Sequence, residues 1–200
     1  DLLSGKKLGA YGLTEPNAGT DAGGQQTRAE DGGDCWILNG AKVFITNGGY
    51  ADTFVTMAMT DKKLGTRGGI SAFIIEKNDP GFTIGKTEDK MGICASSTTE
   101  LIFQNCRIPK NRLLGQVGEG FKVAMTTLDG GRIGIASQAL GIAQGAFDVT
   151  VEYMKARKQF GKKLSQMQAL QFEMAEMKTR IEAARLLIYK AADMKDKHLK

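Results

Sequence analysis

"DCWILNGAKVFIT" (Asp34–Thr46) is two apolar runs on either side of Asn39-Gly40. Asn-Gly between such runs is a strong signal for a type I′ hairpin, because both central residues of that turn need positive φ. The stretch therefore predicts two paired strands, and its neighbours agree. "TFVTMAMT" (Thr53–Thr60), "GISAFIIE" (Gly69–Glu76) and "TTELIFQN" (Thr98–Asn105) alternate or run apolar with β-branched residues. Gly, Asn, Asp and Pro punctuate them, as in "KNDPGF" (Lys77–Phe82). Strands without helices between them predict an antiparallel sheet or barrel.

Beyond about residue 117 the period changes. Phe121, Met125, Leu128, Arg132, Ile135, Ala139, Ile142, Ala146, Val149 and Tyr153 recur at alternating steps of four and three. That is a heptad-like stripe on one long helix. Leu170, Met174, Met177, Ile181, Ala184 and Ile188 repeat it on a second. "RKQFGKKLS" (Arg157–Ser165) breaks the pattern, and Ser165 followed by Gln168 fits a capping box. "LDGGR" (Leu128–Arg132) is an anomaly. Two glycines inside a helix cost roughly 1 kcal/mol each against alanine, and Arg132 falls on the stripe expected to be buried. The expected class is α+β: an antiparallel, barrel-like β-domain over residues 1–112, then long antiparallel helices over 113–200. A helical hairpin cannot bury both faces alone, so these helices are expected to be part of a four-helix bundle completed by further chain or another subunit. The chain opens at "DLLSGKKLGAYG" and stops at "DMKDKHLK" in mid-pattern, which suggests a piece of a longer protein.

The composition is globular, with 42% hydrophobic and 24% charged residues. No apolar run approaches a membrane span. Cys35, Cys94 and Cys106 have no CxxC spacing, which fits reduced thiols. His198 is the single histidine, too few for a Ser-His-Asp hydrolase or a histidine-rich metal site. The net charge of +5 fits either a solvated surface or attraction of an anionic ligand such as a phosphate-bearing cofactor. No nucleic-acid module signature is present.

No GxGxxG or GxxxxGK occurs. "YGLTEPNAGTDAGG" (Tyr11–Gly24) places glycines beside Thr14, Asn17, Thr20 and Asp21 after an expected strand. It reads as an ordinary Pro/Gly turn or as a loop whose amides and hydroxyls face a polar ligand. In "FITNGG" (Phe44–Gly49), Thr46 could present a hydroxyl and Phe44 could stack on a flat ring, although an aromatic in a strand is more often core.

"YGLTEPNAGTD", "VFITNG", "LDGGR" and "ARKQFGKKLSQMQ" stand in the order and spacing of the acyl-CoA dehydrogenase family, and the chain resembles that family over nearly its whole length. The likeness is to its middle β-domain and the first part of its C-terminal helical bundle, of the bacterial short-chain, butyryl-CoA type. The resemblance implies FAD held by Tyr11, Gly12, Leu13, Thr14, Gly19 and Thr20, with Thr14 against the isoalloxazine. Phe44, Ile45 and Thr46 would cover the other part of the ring, the threonine hydroxyl reaching N5. Many members have tryptophan where this chain has Phe44, which keeps a flat apolar surface and loses the indole N–H. Arg157, Gln159, Phe160, Met167 and Gln168 match positions that serve the FAD of a neighbouring subunit. From the residues alone, Arg157 reads as a solvated helix end and Gln168 as part of the capping box. Thr20, Phe121, Asp129, Gly130, Gly131 and Arg132 match the acyl-CoA thioester channel, where the glycines let the pantetheine arm approach the helix.

The activity so implied is FAD-dependent α,β-dehydrogenation of a short-chain acyl-CoA thioester to the trans-2-enoyl product. Electrons would pass to electron-transferring flavoprotein, in a homotetramer (a dimer of dimers) of the bacterial cytoplasm. No nucleic acid, membrane insertion or metal is expected. One subset of the family carries its catalytic base just before the arginine matching Arg132; here that position is Gly131. Glu15 and Glu119 read as turn and helix-start residues, so the base is expected beyond Lys200. An acyl-CoA oxidase or flavin monooxygenase of the same fold, and a non-catalytic helical assembly subunit, are the rival readings.

Overall fold

The computed structural model describes residues 1–199. They form two compact units, Asp1–Thr126 and a second from Thr127 onward. The first unit contains β1 (Gly9–Gly12), β2 (Arg28–Asp31), β3 (Cys35–Thr46), β4 (Thr53–Met59), β5 (Ile70–Glu76), β6 (Phe82–Thr87), β7 (Thr98–Pro109) and β8 (Leu113–Leu114). α1 (Gly120–Ala156) begins there and runs on into the second unit. β9 (Lys158–Gln159), β10 (Lys162–Lys163) and α2 (Gln168–Asp196) follow.

The sheet order is β6-β7-β3-β2-β4-β5-β8, and the path does not close on itself. Most pairings are antiparallel, as expected. The exceptions are β1 with β4 and a single parallel step between β2 and β4. β1 runs beside Thr53–Thr56 and β2 meets Met59, so the two short strands share one slot along β4. The chain between them, Leu13–Thr27, leaves the sheet and returns to it.

Phe54, Phe82 and Phe103 form the centre of the core, with ring centroids 4.9 and 5.3 Å apart. Leu38, Ile45, Phe73, Ile75, Leu101 and Ile108 pack around them. Alternation along β3, β4, β5 and β7 supplies these residues, as strand geometry requires.

Asn39-Gly40 is not a turn. β3 runs unbroken from Cys35 to Thr46, and its pairing with β7 slips between Leu38 and Gly40. The left-handed freedom of the dipeptide is used in a β-bulge instead. Gly40 has φ +144°, and a Cβ there would lie 2.5–2.8 Å from Thr27. Asn39 Oδ1 accepts from Asn105 N–H at 2.8 Å. The turn that starts the hairpin lies earlier. Gly32 N–H donates to Cys35 O at 2.9 Å, and Gly33 (φ +87°) lets β2 fold back on β3.

In the second unit the long helices are antiparallel: Gln144 pairs with Arg185 at 2.7 Å, and Gly130 lies against Lys195. Ile181 on α2 is buried and lies on the expected stripe. On the part of α1 in this unit the buried residues are Leu140 and Met154, one step off the expected stripe. Ile135, Ile142, Val149 and Tyr153 are 57–72% exposed. The helix also carries apolar residues at Ile133, Ala136, Leu140, Phe147 and Val151. With two apolar faces, periodicity alone does not decide which one meets α2. The capping box at Ser165 does not form either. α2 starts at Gln168, its N-cap Met167 makes no side-chain cap, and Ser165 instead receives Gln171 Nε2 on its carbonyl at 2.8 Å. The side-chain bond that the turn does make runs from Lys163 N–H to Gln166 Oε1, at 3.0 Å.

Candidate functional site

The excursion Leu13–Thr27 is closed at its neck by a buried ion pair. Lys42, on β3, has no solvent exposure. Its ammonium donates to Glu15 Oε1 at 2.7 Å, to Leu13 O at 3.1 Å and to Gln25 Oε1 at 3.1 Å. Glu15 then accepts from the backbone N–H groups of Gln26 (2.6 Å) and Thr27 (3.0 Å), where the excursion re-enters the sheet. One side chain fixes the entry and the other the exit. Burial lowers the Lys42 pKa to about 8, although the Glu15 charge opposes the shift. Burial would raise the Glu15 carboxyl. The Lys42 charge and the hydrogen bonds from Lys42, Gln26 and Thr27 outweigh it and hold the group below its ordinary range.

Directly after Lys42 the pairing of β3 with β7 slips a second time, between Lys42 and Ile45. Phe44 sits in this irregularity at φ +58°, a left-handed conformation uncommon for an aromatic residue, and its side chain is 64% exposed. Thr46 is also exposed, while Ile45 between them points into the core. Val43 N–H donates to Thr14 O at 2.9 Å, so the start of the excursion lies against the irregular stretch. Asn47 (φ +66°) turns the chain out of β3, with Asn47 Nδ2 on Gly9 O at 3.0 Å and Asn47 N–H on Ser97 O at 2.7 Å. The stretches Tyr11, Gly12, Leu13, Thr14 and Phe44, Ile45, Thr46 are thus brought next to each other. Of these, Thr14, Phe44 and Thr46 have side chains outside the core. Gly19 and Thr20 lie farther along the exposed excursion. The amides of Gly19, Thr20 and Asp21 meet no acceptor among the described residues.

These features suit a ligand with a flat ring and anionic groups. Phe44 is an apolar plate outside the core, Thr46 two residues on has an exposed side chain with a hydroxyl, Thr14 adds a second hydroxyl on the adjoining excursion, and the amides of Gly19–Asp21 are donors. Tyr11 Oη is buried without a partner among the described residues. Burial pushes its phenol up to about 12, so it stays an O–H donor.

Phe121 is half-buried at the start of α1. In the second unit, the helix passes through "LDGGR" without a break. Asp129 and Arg132 pair at 3.2 Å and are both exposed, and a Cβ on Gly131 would meet nothing within 4 Å. A Cβ on Gly130 would lie 3.1 Å from Lys195 Nζ. Arg157, Gln159 and Phe160 form a hairpin closed by Leu164 N–H on Arg157 O at 2.9 Å. Its tip, Phe160-Gly161, has φ +49° and +75°, the signature of a type I′ turn. Phe160 there is 93% exposed. Met167 and Gln168 follow at the start of α2. Glu119 is exposed and accepts from Gln116 N–H at 3.2 Å.

Lys42, Gln25 and Asn47 escaped the reading of the sequence. The available signal was the charge of Lys42 inside the apolar run "GAKVFIT": a lysine on a buried strand requires a carboxylate, and Glu15 is that carboxylate.

Residues 10–106 match the family model for the acyl-CoA dehydrogenase middle domain, and residues 118–200 that for the acyl-CoA dehydrogenase C-terminal domain. The chain belongs to the acyl-CoA dehydrogenase family. The short-chain specific acyl-CoA dehydrogenase of Clostridium acetobutylicum is 61% identical over 194 residues, which are 97% of this chain and 51% of that one. The structure of butyryl-CoA dehydrogenase from Megasphaera elsdenii is 58% identical with a TM-score of 0.96, covering 100% of this chain and 52% of that one. A structure described as "Electron transferring flavoprotein of Acidaminococcus fermentans: Towards a mechanism of flavin-based electron bifurcation" includes a chain 61% identical, with a TM-score of 0.94, covering 98% of this chain and 51% of that one. The acyl-CoA dehydrogenase chain described here thus spans about half the length of these relatives. Among its described residues, no helix is long and apolar enough to cross a membrane.

Proposed function

We propose that this chain is the flavin-binding part of a short-chain acyl-CoA dehydrogenase that oxidises a butyryl-CoA-like thioester to its trans-2-enoyl product. The observation that carries the reading is Phe44, an aromatic side chain held outside the core on left-handed backbone, beside Thr14 and Thr46. A core residue would not sit there, whereas a plate for a flat ring would. Phe44, Thr46 and Thr14 would hold the isoalloxazine of FAD, with Tyr11, Gly12, Leu13 and Ile45 supporting them. Gly19 and Thr20 would hold its phosphate side. Bound FAD would accept the hydride equivalent from the β carbon.

Arg132 and Asp129, with the bare backbone at Gly130 and Gly131, would orient the thioester arm; Phe121 and Thr20 are further candidates for substrate contact. Arg132 supplies donors and Asp129 keeps its guanidinium in place. No carboxylate among the described residues stands out as the α-proton base: Glu15 is consumed by Lys42, and Gly131 has no side chain. The family resemblance supports a base in a part of the protein outside this chain, and that is the position proposed here. Arg157, Gln159 and Phe160, with Met167 and Gln168, would reach the FAD of a second copy, which ties cofactor retention to a homotetrameric assembly. Electron-transferring flavoprotein is the proposed acceptor, in a bacterial cytoplasm. The residues 1–112 and 113–200 would divide these tasks, flavin plate first and helical bundle second.

The full-length protein, purified and scanned in the visible range, tests this. The reading predicts flavin bands, and reduced protein that passes electrons to electron-transferring flavoprotein much faster than to air. A colourless protein overturns the reading, and fast reoxidation by air replaces it with an oxidase of the same fold.

A further inference from the structure

Lys42 is the one fully buried cation of the first unit, and nothing in the proposed chemistry uses it. Its position is specific. It lies on β3 immediately before the irregular stretch that carries Phe44, and its ammonium crosses to three acceptors on the excursion that carries Thr14. Two segments proposed to hold one ring are thus fastened from behind by one side chain. The bond to Leu13 O is the informative one. It fixes the peptide that precedes Thr14, while Thr14 O receives Val43 N–H from the residue after Lys42. Glu15 extends the clamp to the far end of the excursion through Gln26 and Thr27.

We infer that Lys42, with Glu15 and Gln25, is a positioning group that sets the spacing of the Thr14 and Phe44–Thr46 segments and so tunes how tightly and in what environment the flavin is held. The inference rests on the flavin reading above. A buried ion pair that served the fold alone would be replaceable by two neutral side chains of similar size, often at no loss of stability. A positioning role would not be, because methionine cannot donate to Leu13 O.

The test uses the full-length protein and reads three quantities: melting of the flavin-free form, FAD affinity, and the visible absorption and circular dichroism of bound flavin. Lys42→Met should weaken FAD binding roughly tenfold or more, the scale of one lost charge-assisted hydrogen bond, and shift the flavin spectrum. The double variant Lys42→Met with Glu15→Gln should regain the melting temperature of the flavin-free wild type and keep the weakened binding and shifted spectrum. If the double variant regains wild-type FAD affinity and spectrum along with its stability, the group serves the fold alone and the inference is overturned. Where Lys42→Met alone does not fold, the double variant is read directly against the wild type: weakened FAD affinity and a shifted spectrum support the role, and unchanged ones overturn it. Phe44→Ala separates the two levels of argument. If it leaves FAD affinity unchanged, the flavin reading itself fails. If it weakens FAD binding while the Lys42 variants do not, the positioning role alone fails.

Discussion

Thr46 is exposed at the end of a strand whose preceding residue, Ile45, is in the core, so its hydroxyl can be removed without a packing loss. Thr46→Val should keep FAD and slow its reduction by butyryl-CoA about tenfold or more in stopped-flow, because a hydrogen bond that strengthens as charge develops is worth about 1.5–3 kcal/mol. An unchanged rate removes Thr46 from the site. The Lys42–Glu15 pair makes a second, pH-dependent prediction. The Lys42 pKa is about 8 in the fold against an ordinary 10.5, so between those values the unfolded chain binds more protons. The stability of the wild type relative to Lys42→Met should therefore rise with pH across that window. Glu15 acts at the other end. Its carboxyl is lowered, so its contribution is full above the unfolded value near 4.5 and is lost as pH falls through the folded value. Urea unfolding against pH should show an acid limb that Glu15→Gln flattens. At neutral pH Lys42→Met alone should cost about 3–5 kcal/mol, since it leaves a buried carboxylate unpaired. At this scale the sequence was legible where chemistry is local. Thr14, Phe44 and Thr46 become candidates through the family resemblance of the short motifs that carry them, and the structure leaves Phe44 and Thr46 exposed. Lys42 and Glu15 are 27 positions apart, and only the crossing of β3 by the excursion joins them.

Elements were legible by type and less so by edge and face. Strands β4, β5 and β7 and both long helices follow from alternation and heptad spacing. The Asn39-Gly40 dipeptide was misleading because its left-handed freedom fits a bulge as well as a turn, and the neighbours decide: β7 pairs with β3 on both sides of the dipeptide, from Cys35 to Thr46, and β2 pairs with Trp36–Asn39, so the strand continues through it. The face of α1 was ambiguous for a different reason, since both of its sides are apolar. That difference is measurable. Leu140→Ala should cost about 2–4 kcal/mol in unfolding of this chain, because a buried leucine leaves a cavity. Ile142→Ala, 68% exposed, should cost under about 1 kcal/mol in this chain and weaken assembly of the full-length protein. The reverse order would put the wrong face of α1 against α2. The β9–β10 hairpin carries its own prediction. Arg157 and Phe160 are exposed, and the Arg157 side chain makes no hydrogen bond among the described residues, so Arg157→Ala should leave unfolding unchanged within about 0.5 kcal/mol. In the full-length protein it should release FAD in step with subunit dissociation, read by size-exclusion chromatography with flavin detection. A mutant monomer that held FAD as tightly as the assembled wild type would contradict the cross-subunit role.

On the scale of the whole molecule, the chain carries the proposed flavin plate on one unit and a helical surface with two apolar faces on the other. The exposed stripes of Ile135, Ile142, Val149 and Tyr153 on α1 and Phe172, Leu186 and Tyr189 on α2 exceed the scattered apolar residues of an ordinary monomer surface. They fit the proposed bundle and assembly, in which further helices would cover them. The central claim is that Phe44, Thr46 and Thr14 present a flavin to an acyl-CoA thioester. Its most direct test is anaerobic addition of stoichiometric butyryl-CoA to the full-length, FAD-loaded protein, with flavin absorbance and the acyl product followed together. The account predicts that the flavin band bleaches as the trans-2-enoyl thioester appears in equal amount, and that Phe44→Ala slows both to the same degree. Flavin that stays oxidised while butyryl-CoA remains unchanged would contradict it.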